Sequence, residues 1–153
     1  MICVDRNTML QIFGSLMDKP TLLSDTDKYQ LSSTDFNVIL DRYIFSAIYN
    51  LYMQGANRIH AQDIENYLSK NEVGKRIMEE HNGIQFLVDC ETCADPNNFQ
   101  VYYNKFKKIN LLRDLKENGY DVSYFWNENP LSVNFETNNN FENSTTKKII
   151  EHY

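Results

Sequence analysis

Apolar residues recur at helical spacing through most of the chain. Met9, Leu10, Ile12, Phe13, Leu16 and Met17 predict a first helix over residues 8–17. Asn7 or Thr8 stands where a cap belongs. Asp18-Lys19-Pro20 stops the helix, because the residue before a proline is pushed out of helical geometry. Gly14 lies mid-helix, where glycine normally costs stability, and a close crossing with another helix is the simplest reason for it. Ser33 or Thr34 then predicts the cap of a long helix running to about Gln54, with Asp35 in its first turn. Phe36, Ile39, Leu40, Tyr43, Ile44, Ala47, Ile48, Leu51 and Tyr52 give that helix an apolar face broad enough for the centre of a bundle. Gly55 closes it.

Shorter elements follow. Residues 61–69 predict a helix with Ile64, Tyr67 and Leu68 on one side, and residues 72–80 add a turn or two. Asn82-Gly83 is a turn signal, and another short helix starts at Ile84 and ends before Asp95-Pro96. Asn97 or Asn98 caps the longest helix, which reaches about Gly119 or beyond. Its stripe drifts. Phe99, Tyr102, Tyr103, Phe106 and Ile109 lie together, while Leu112, Leu115 and Val122 continue on a rotated face, as in a helix that leaves one neighbour and meets another. Asn127–Asn140 is polar and asparagine-rich and predicts a loop. Ser144 opens a last helix with Ile149 and Ile150 inward, and the chain stops at Tyr153 with neither cap nor glycine, as at a cut within a helix. No repeat and no sustained strand-like alternation interrupts this pattern. The expected fold class is all-α.

With 153 residues the chain is long enough for one domain with its own core. Its net charge of −6 argues against broad contact with a nucleic-acid backbone. The three cysteines suit a reducing compartment, and neither a leader peptide nor a bilayer-spanning stretch is visible, so a soluble cytoplasmic protein is expected. Cys90-Glu-Thr-Cys93 is a lone C-x-x-C. A metal site would need two further ligands, and Cys3, His60 and His81 are not spaced to supply them. The plainer reading is two incidental thiols at a helix end. His60, His81 and His152 lack an evident catalytic partner, and Glu65 and Glu79-Glu80 read as solvated helix faces. No G-x-x-x-x-G-K-[ST] phosphate loop occurs, so ATP hydrolysis by this chain is not expected. Lys105, Lys107, Lys108, Arg113 and Lys116 form a basic run on the longest helix, readable as a solvated face or as contact with DNA or an acidic partner. Core packing accounts for Phe99, Tyr103 and Phe106. For Tyr120, Tyr124, Phe125 and Trp126 an interface and a core are both open.

A set of spaced motifs links these pieces. Gly14-Ser-Leu-Met with Pro20, Asp35-Phe36, Ile44-Phe45, Gly55, Asn82-Gly83 with Phe86-Leu87, Asn98, Tyr102 or Tyr103, and Leu112-Arg113 follow one another over most of residues 9–115. In order and spacing the chain resembles the N-terminal helical domain of DnaB-type replicative DNA helicases, bacterial or phage. It departs from that family at Asp41, where a histidine is usual, and at Ile59-His60, where Ile-Asp is common.

The resemblance implies a small helical bundle over residues 1–96 followed by a helical hairpin over 97–153, with arms at 98–126 and 141–153 and a tip near 127–140. Such hairpins pair two subunits, and the pairs close into a trimer of dimers forming the collar of a hexameric ring, which docks primase and in some systems a helicase loader. It implies self-association or primase docking through Leu112, Leu115, Tyr120, Val122, Tyr124, Phe125, Trp126, Ile149 and Ile150. It gives structural roles to Gly14, Phe36, Ile44, Phe45, Gly83, Phe86 and Arg113. No catalytic, cofactor or metal residue is expected in this chain. ATP and Mg would belong to a downstream motor domain, and neither membrane nor direct DNA contact is expected. The alternatives are a free-standing adaptor, such as a loader or inhibitor of a helicase, and a helix-turn-helix DNA-binding module using Ala61–Ser69 and the basic helix.

Overall fold

Helices supply every regular element in the structure, a computed structural model that describes residues 2–129 and 131–153. They are α1 (Arg6–Asp18), α2 (Ile39–Met53), α3 (Ala61–Ser69), α4 (Glu72–Glu80), α5 (Gly83–Cys93), α6 (Phe99–Glu117), α7 (Phe135–Asn143) and α8 (Thr146–His152). Short 3-10 turns cover Pro20–Ser24, Ser33–Asp35 and Pro96–Asn98, and no strand occurs among the described residues. The fold is all-α. The chain divides into two compact units, one of Arg6–Tyr102 and one of Tyr103–Tyr153 together with the N-terminal residues up to Asp5. The division falls inside α6, a few residues beyond the expected boundary at 96–97.

The first unit is organised by α1. Ile12, Phe13, Leu16 and Met17 are buried, and α1 packs chiefly on α5. Gly14 sits where the two helices meet. A Cβ there would lie 2.2 Å from the Ala94 Cβ and 2.3 Å from the Cys90 carbonyl oxygen, so the crossing requires the hydrogen side chain. Gln11 ties the same crossing at its end, donating to the Cys93 carbonyl at 3.3 Å and accepting from the Asp95 N–H at 3.0 Å. Aromatic rings fill the layer beneath α1. Phe36 stacks on Phe13 at 5.5 Å and on Phe45 at 4.9 Å, and Phe86 meets Phe13 edge-on at 6.3 Å.

The second helix starts later than its pattern predicts. Ser33–Asp35 forms a separate 3-10 turn, closed by the Ser32 N–H donating to the Asp35 carboxylate at 2.9 Å. Phe36 then takes an extended backbone (φ −109°, ψ 115°), which turns its ring into the core, and the Arg42 side chain donates to the Phe36 carbonyl at 2.6 Å. Burial of one ring outweighs four further residues of helix. The far end of α2 closes as expected. Gly55 has φ +98°, its N–H bonds the Tyr52 carbonyl, and the Ala56 N–H bonds the Leu51 carbonyl. This is a Schellman closure, whose left-handed position favours glycine.

Asp41, the departure from the DnaB-like pattern, is accounted for by a residue outside that pattern. Arg6 holds it bidentately at 2.8 and 3.0 Å, and the same guanidinium lies 4.3 Å from the Phe86 ring centroid. Burial raises the Asp41 carboxyl above its ordinary 3.8, and Arg6 opposes that only in part. The folded state therefore takes up the proton at a higher pH than the unfolded chain. Stability attributable to this group rises as pH falls from neutral through the raised folded value, and levels off below 3.8. Wild type is expected to gain stability relative to Asp41→Asn on acidification across that window. Paired urea titrations at several pH values check the sign, and a gain for the asparagine variant on acidification contradicts it.

In the second unit Ile2, Ile109, Leu112, Val122, Phe125, Phe141 and Ile149 form one core, with Val4, Leu111, Leu115 and Trp126 packed at its edge. The expected hairpin arms are broken up here. α6 ends at Glu117, and Gly119 (φ +90°) makes a second Schellman closure, with its N–H on the Lys116 carbonyl and the Tyr120 N–H on the Leu115 carbonyl. The chain then turns so that Val122 and Phe125 reach the same core as Leu112. The asparagine-rich stretch expected to be a loop holds most of α7. Asn134 caps it by accepting from the Thr137 N–H at 3.0 Å, and Phe141 is buried. Asparagine favours caps and turns over helix interiors, so local propensity hides this helix and burial of Phe141 selects it. Ile149 is inward as expected, but Ile150 is 57% exposed and is corrected to the surface.

Candidate protein-interaction surface

Turning the chain at Gly119 separates two sets of side chains. Val122 and Phe125 go inward, while Tyr120 and Tyr124 stay about half exposed. The C-terminal residues fold over this outer set. Tyr124 stacks on His152 (4.5 Å, 21° between planes) and Tyr120 meets Tyr153 edge-on at 5.5 Å. The Tyr153 hydroxyl donates to the Asp121 carbonyl at 2.7 Å. The Ser123 N–H donates to the Asp121 carboxylate at 2.9 Å and holds that carboxyl below its ordinary value. Burial, and then the Asp121 charge, push the Tyr153 phenol up, so its hydroxyl keeps the proton that makes this bond. A groove of about 250 Å³ runs beside the patch, lined by Lys116, Tyr120, Ser123, Trp126 and Thr137 among others. The surface is amphipathic: aromatic faces bordered by satisfied polar groups, the composition typical of the core of a protein interface.

The structure sorts the nine expected interface residues into three groups. Leu112, Val122, Phe125 and Ile149 are interior to their own chain. As surface residues held for a partner they are corrected, because a single chain already removes them from water. Leu115 and Trp126 lie at the edge of that core, Trp126 meeting Phe141 edge-on at 5.9 Å. Tyr120, Tyr124 and Ile150 are at the surface. The pattern of apolar residues missed three more. Leu131, Val133 and Phe135 are 95%, 69% and 76% exposed, a concentration of apolar side chains that soluble surfaces seldom carry without use. Their spacing of two within a polar stretch was the available signal.

The residues expected to be structural are buried or partly buried. Gly14, Phe36, Ile44, Phe45 and Gly83 are buried and Phe86 is partly so. A Cβ on Gly83 would meet the Met78 sulfur at 2.5 Å. Arg113 is buried, with its Nη1 lacking a hydrogen-bond partner.

Other candidate chemistry is largely engaged internally. Cys90 is buried and Cys93 exposed, and burial pushes the Cys90 thiol up to about 12, which keeps it protonated and unreactive at neutral pH. No cluster able to hold a metal ion is present among the described residues. His60 has a partner that its sequence context did not reveal: its Nδ1 lies 3.0 Å from a Glu91 oxygen, while the other Glu91 oxygen accepts from the Ala61 N–H at 2.7 Å. The Ala61 N–H and then His60 draw the Glu91 carboxyl below its ordinary value. The pair fixes the start of α3 to α5.

Three members of the basic run are also occupied. Lys105 pairs with Asp5 at 3.2 Å and Lys116 with Glu128. Lys108 is buried, donates to the Phe141 carbonyl at 2.7 Å and lies 4.3 Å from that ring's centroid, and burial draws its pKa down. Among the described residues, no helix is long and apolar enough to cross a membrane.

No family model matches the chain, and no solved structure matches it. A similar curated protein is the SPbeta prophage-derived uncharacterized protein YorI of Bacillus subtilis (strain 168), 29% identical over 124 residues, which are 81% of this chain and 25% of that protein. The chain spans about a quarter of the length of the curated relative it matches.

Proposed function

We propose that the chain is a non-catalytic assembly and docking module of the kind found at the N-terminus of DnaB-type replicative helicases, joining copies of itself into a ring and offering a surface to primase or to a helicase loader. The observation that carries this reading is the concentration of exposed aromatic and aliphatic side chains on the C-terminal unit: Tyr120, Tyr124, Leu131, Val133, Phe135, Ile150 and Tyr153. Three further points support it. The fold is all-α. Gly14, Phe36, Phe45 and Gly83 occupy close-packed positions in the first unit, as a shared scaffold requires. The match to a relative about three times as long fits a module that works within something larger. ATP and Mg chemistry would then belong to a separate motor domain.

The isolated chain is expected to self-associate. A stable contact needs about 800 Å² from each partner, less than a tenth of this chain's 8994 Å² of accessible surface. Sedimentation velocity over a wide concentration range tests this, with Tyr124→Ser and Ile150→Ser expected to weaken association while helical circular dichroism stays unchanged. A strict monomer at the highest concentration overturns the assembly reading.

A further inference from the structure

A second surface feature lies on the first unit. A groove of about 570 Å³ opens between α2, α3 and the start of α4, floored by Tyr43, Tyr67 and Leu68 and edged by Arg42 and Lys70. No carboxylate lines it, in a chain whose net charge is −6. Arg42 spends its Nε on the Phe36 carbonyl, and neither Arg42 nor Lys70 has a carboxylate partner among the described residues. The groove therefore suits an occupant that is acidic and carries large apolar side chains.

The chain itself contains such a segment. From Glu117 to Thr146 the charged residues are Glu117, Asp121, Glu128, Glu136 and Glu142, with no lysine, arginine or histidine among them. Within that stretch Leu131, Val133 and Phe135 stand out from the surface at a spacing of two. Leu131 and Ser132 lie in a turn, Asn134 is extended (φ −114°, ψ 97°), and Phe135 and Glu136 open α7, so the three apolar side chains are presented from a turn that leads into a helix.

We infer that the Arg42/Lys70 groove of one copy receives the Leu131–Glu136 segment of a second copy, with the three apolar side chains against Tyr43, Tyr67 and Leu68 and Glu136 facing the cations. This rests on the self-association proposed above and gives it a direction. Groove and segment are different surfaces, so the contact is head-to-tail. Such a contact closes into a ring if the rotation allows and otherwise grows as an open chain.

Three proteins test it by sedimentation velocity: wild type, Lys70→Glu, and the triple variant Leu131→Ser, Val133→Ser, Phe135→Ser. All the altered side chains are exposed, and circular dichroism checks that the variants remain folded. Each variant is expected to weaken self-association at least tenfold. An equimolar mixture of the two is expected to associate more tightly than either variant alone, because each pair regains one intact groove and one intact segment. Lys70→Glu combined with Glu136→Lys is expected to recover most of the loss. A synthetic peptide of residues 128–137 is expected to bind wild type and to bind Lys70→Glu at least tenfold more weakly. If both variants associate like wild type, or their mixture stays monomeric, the head-to-tail contact is wrong while self-association stands. A peptide that does not bind overturns the groove assignment, and a monomeric wild type overturns the association itself.

Discussion

Gly14→Ala is expected to destabilise the first unit by about 3 kcal/mol, even though alanine is the better helix former by about 1 kcal/mol. The added methyl would sit 2.3 Å from the Cys90 carbonyl oxygen and 2.2 Å from the Ala94 Cβ. Neither neighbour is the free end of a flexible side chain, so α1 and α5 must separate. Separation loosens Phe13 from Phe86 and pulls the Gln11 side chain off both of its partners at the end of α5. Against a total stability of about 5–15 kcal/mol, such a loss is large. Gly55→Ala is the control. Its position has φ +98° and nothing within 4 Å of an added Cβ, so only the left-handed backbone is penalised, by about 1 kcal/mol. Urea unfolding followed by helical circular dichroism ranks the two. Equal midpoints for Gly14→Ala and wild type would mean that α1 and α5 do not approach as described.

Leu112→Ala is expected to cost about 2–5 kcal/mol through the cavity it leaves. Leu112 is fully buried among Ile2, Ile109, Val122, Phe125, Phe141 and Ile149. Trp126, the chain's one tryptophan, packs at the edge of the same core and gives a local probe. The transition seen by its fluorescence should move to lower urea. Tyr124→Ala, at the surface, should move it by no more than about 0.5 kcal/mol. This pair separates the two roles that pattern alone merged. If Leu112→Ala weakens self-association and leaves the Trp126 transition in place, Leu112 is an interface residue after all.

The particular residues show why some features were legible and others were not. Helices α1, α3, α4 and α5 were readable to within a few residues because their apolar spacing, caps and stops all lie within one helix length. Gly14 was readable as a crossing because a glycine inside a strong helix demands a reason. Asp41 was readable only as a departure, since its partner Arg6 is 35 residues away and no local rule joins them. The start of α2 was misplaced because the Ser33–Asp35 turn carries the same capping residues as a helix start, and only the pocket for Phe36 distinguishes the two. α7 was missed because three consecutive asparagines lower its propensity, while Phe141 holds it from the far side of a core that the sequence does not display.

The candidate surface divides in the same way. That the Tyr120–Trp126 stretch is too apolar to be an ordinary loop was evident from composition, but which of its rings face outward was not. Periodicity along one helix says that residues share a side; it does not say what lies against that side.

The order of residues by itself determined the all-helical class, most helix positions, the tight α1 crossing and the absence of a phosphate loop, because these depend on spacing and on interactions a few residues apart. Tertiary structure decided that Leu112, Val122, Phe125 and Ile149 close on one another and on Ile2, leaving Tyr120, Tyr124, Leu131, Val133 and Phe135 in water. Hydrophobic burial has no direction along the chain, so the same apolar residue serves equally as core or as contact surface until the fold places a neighbour against it.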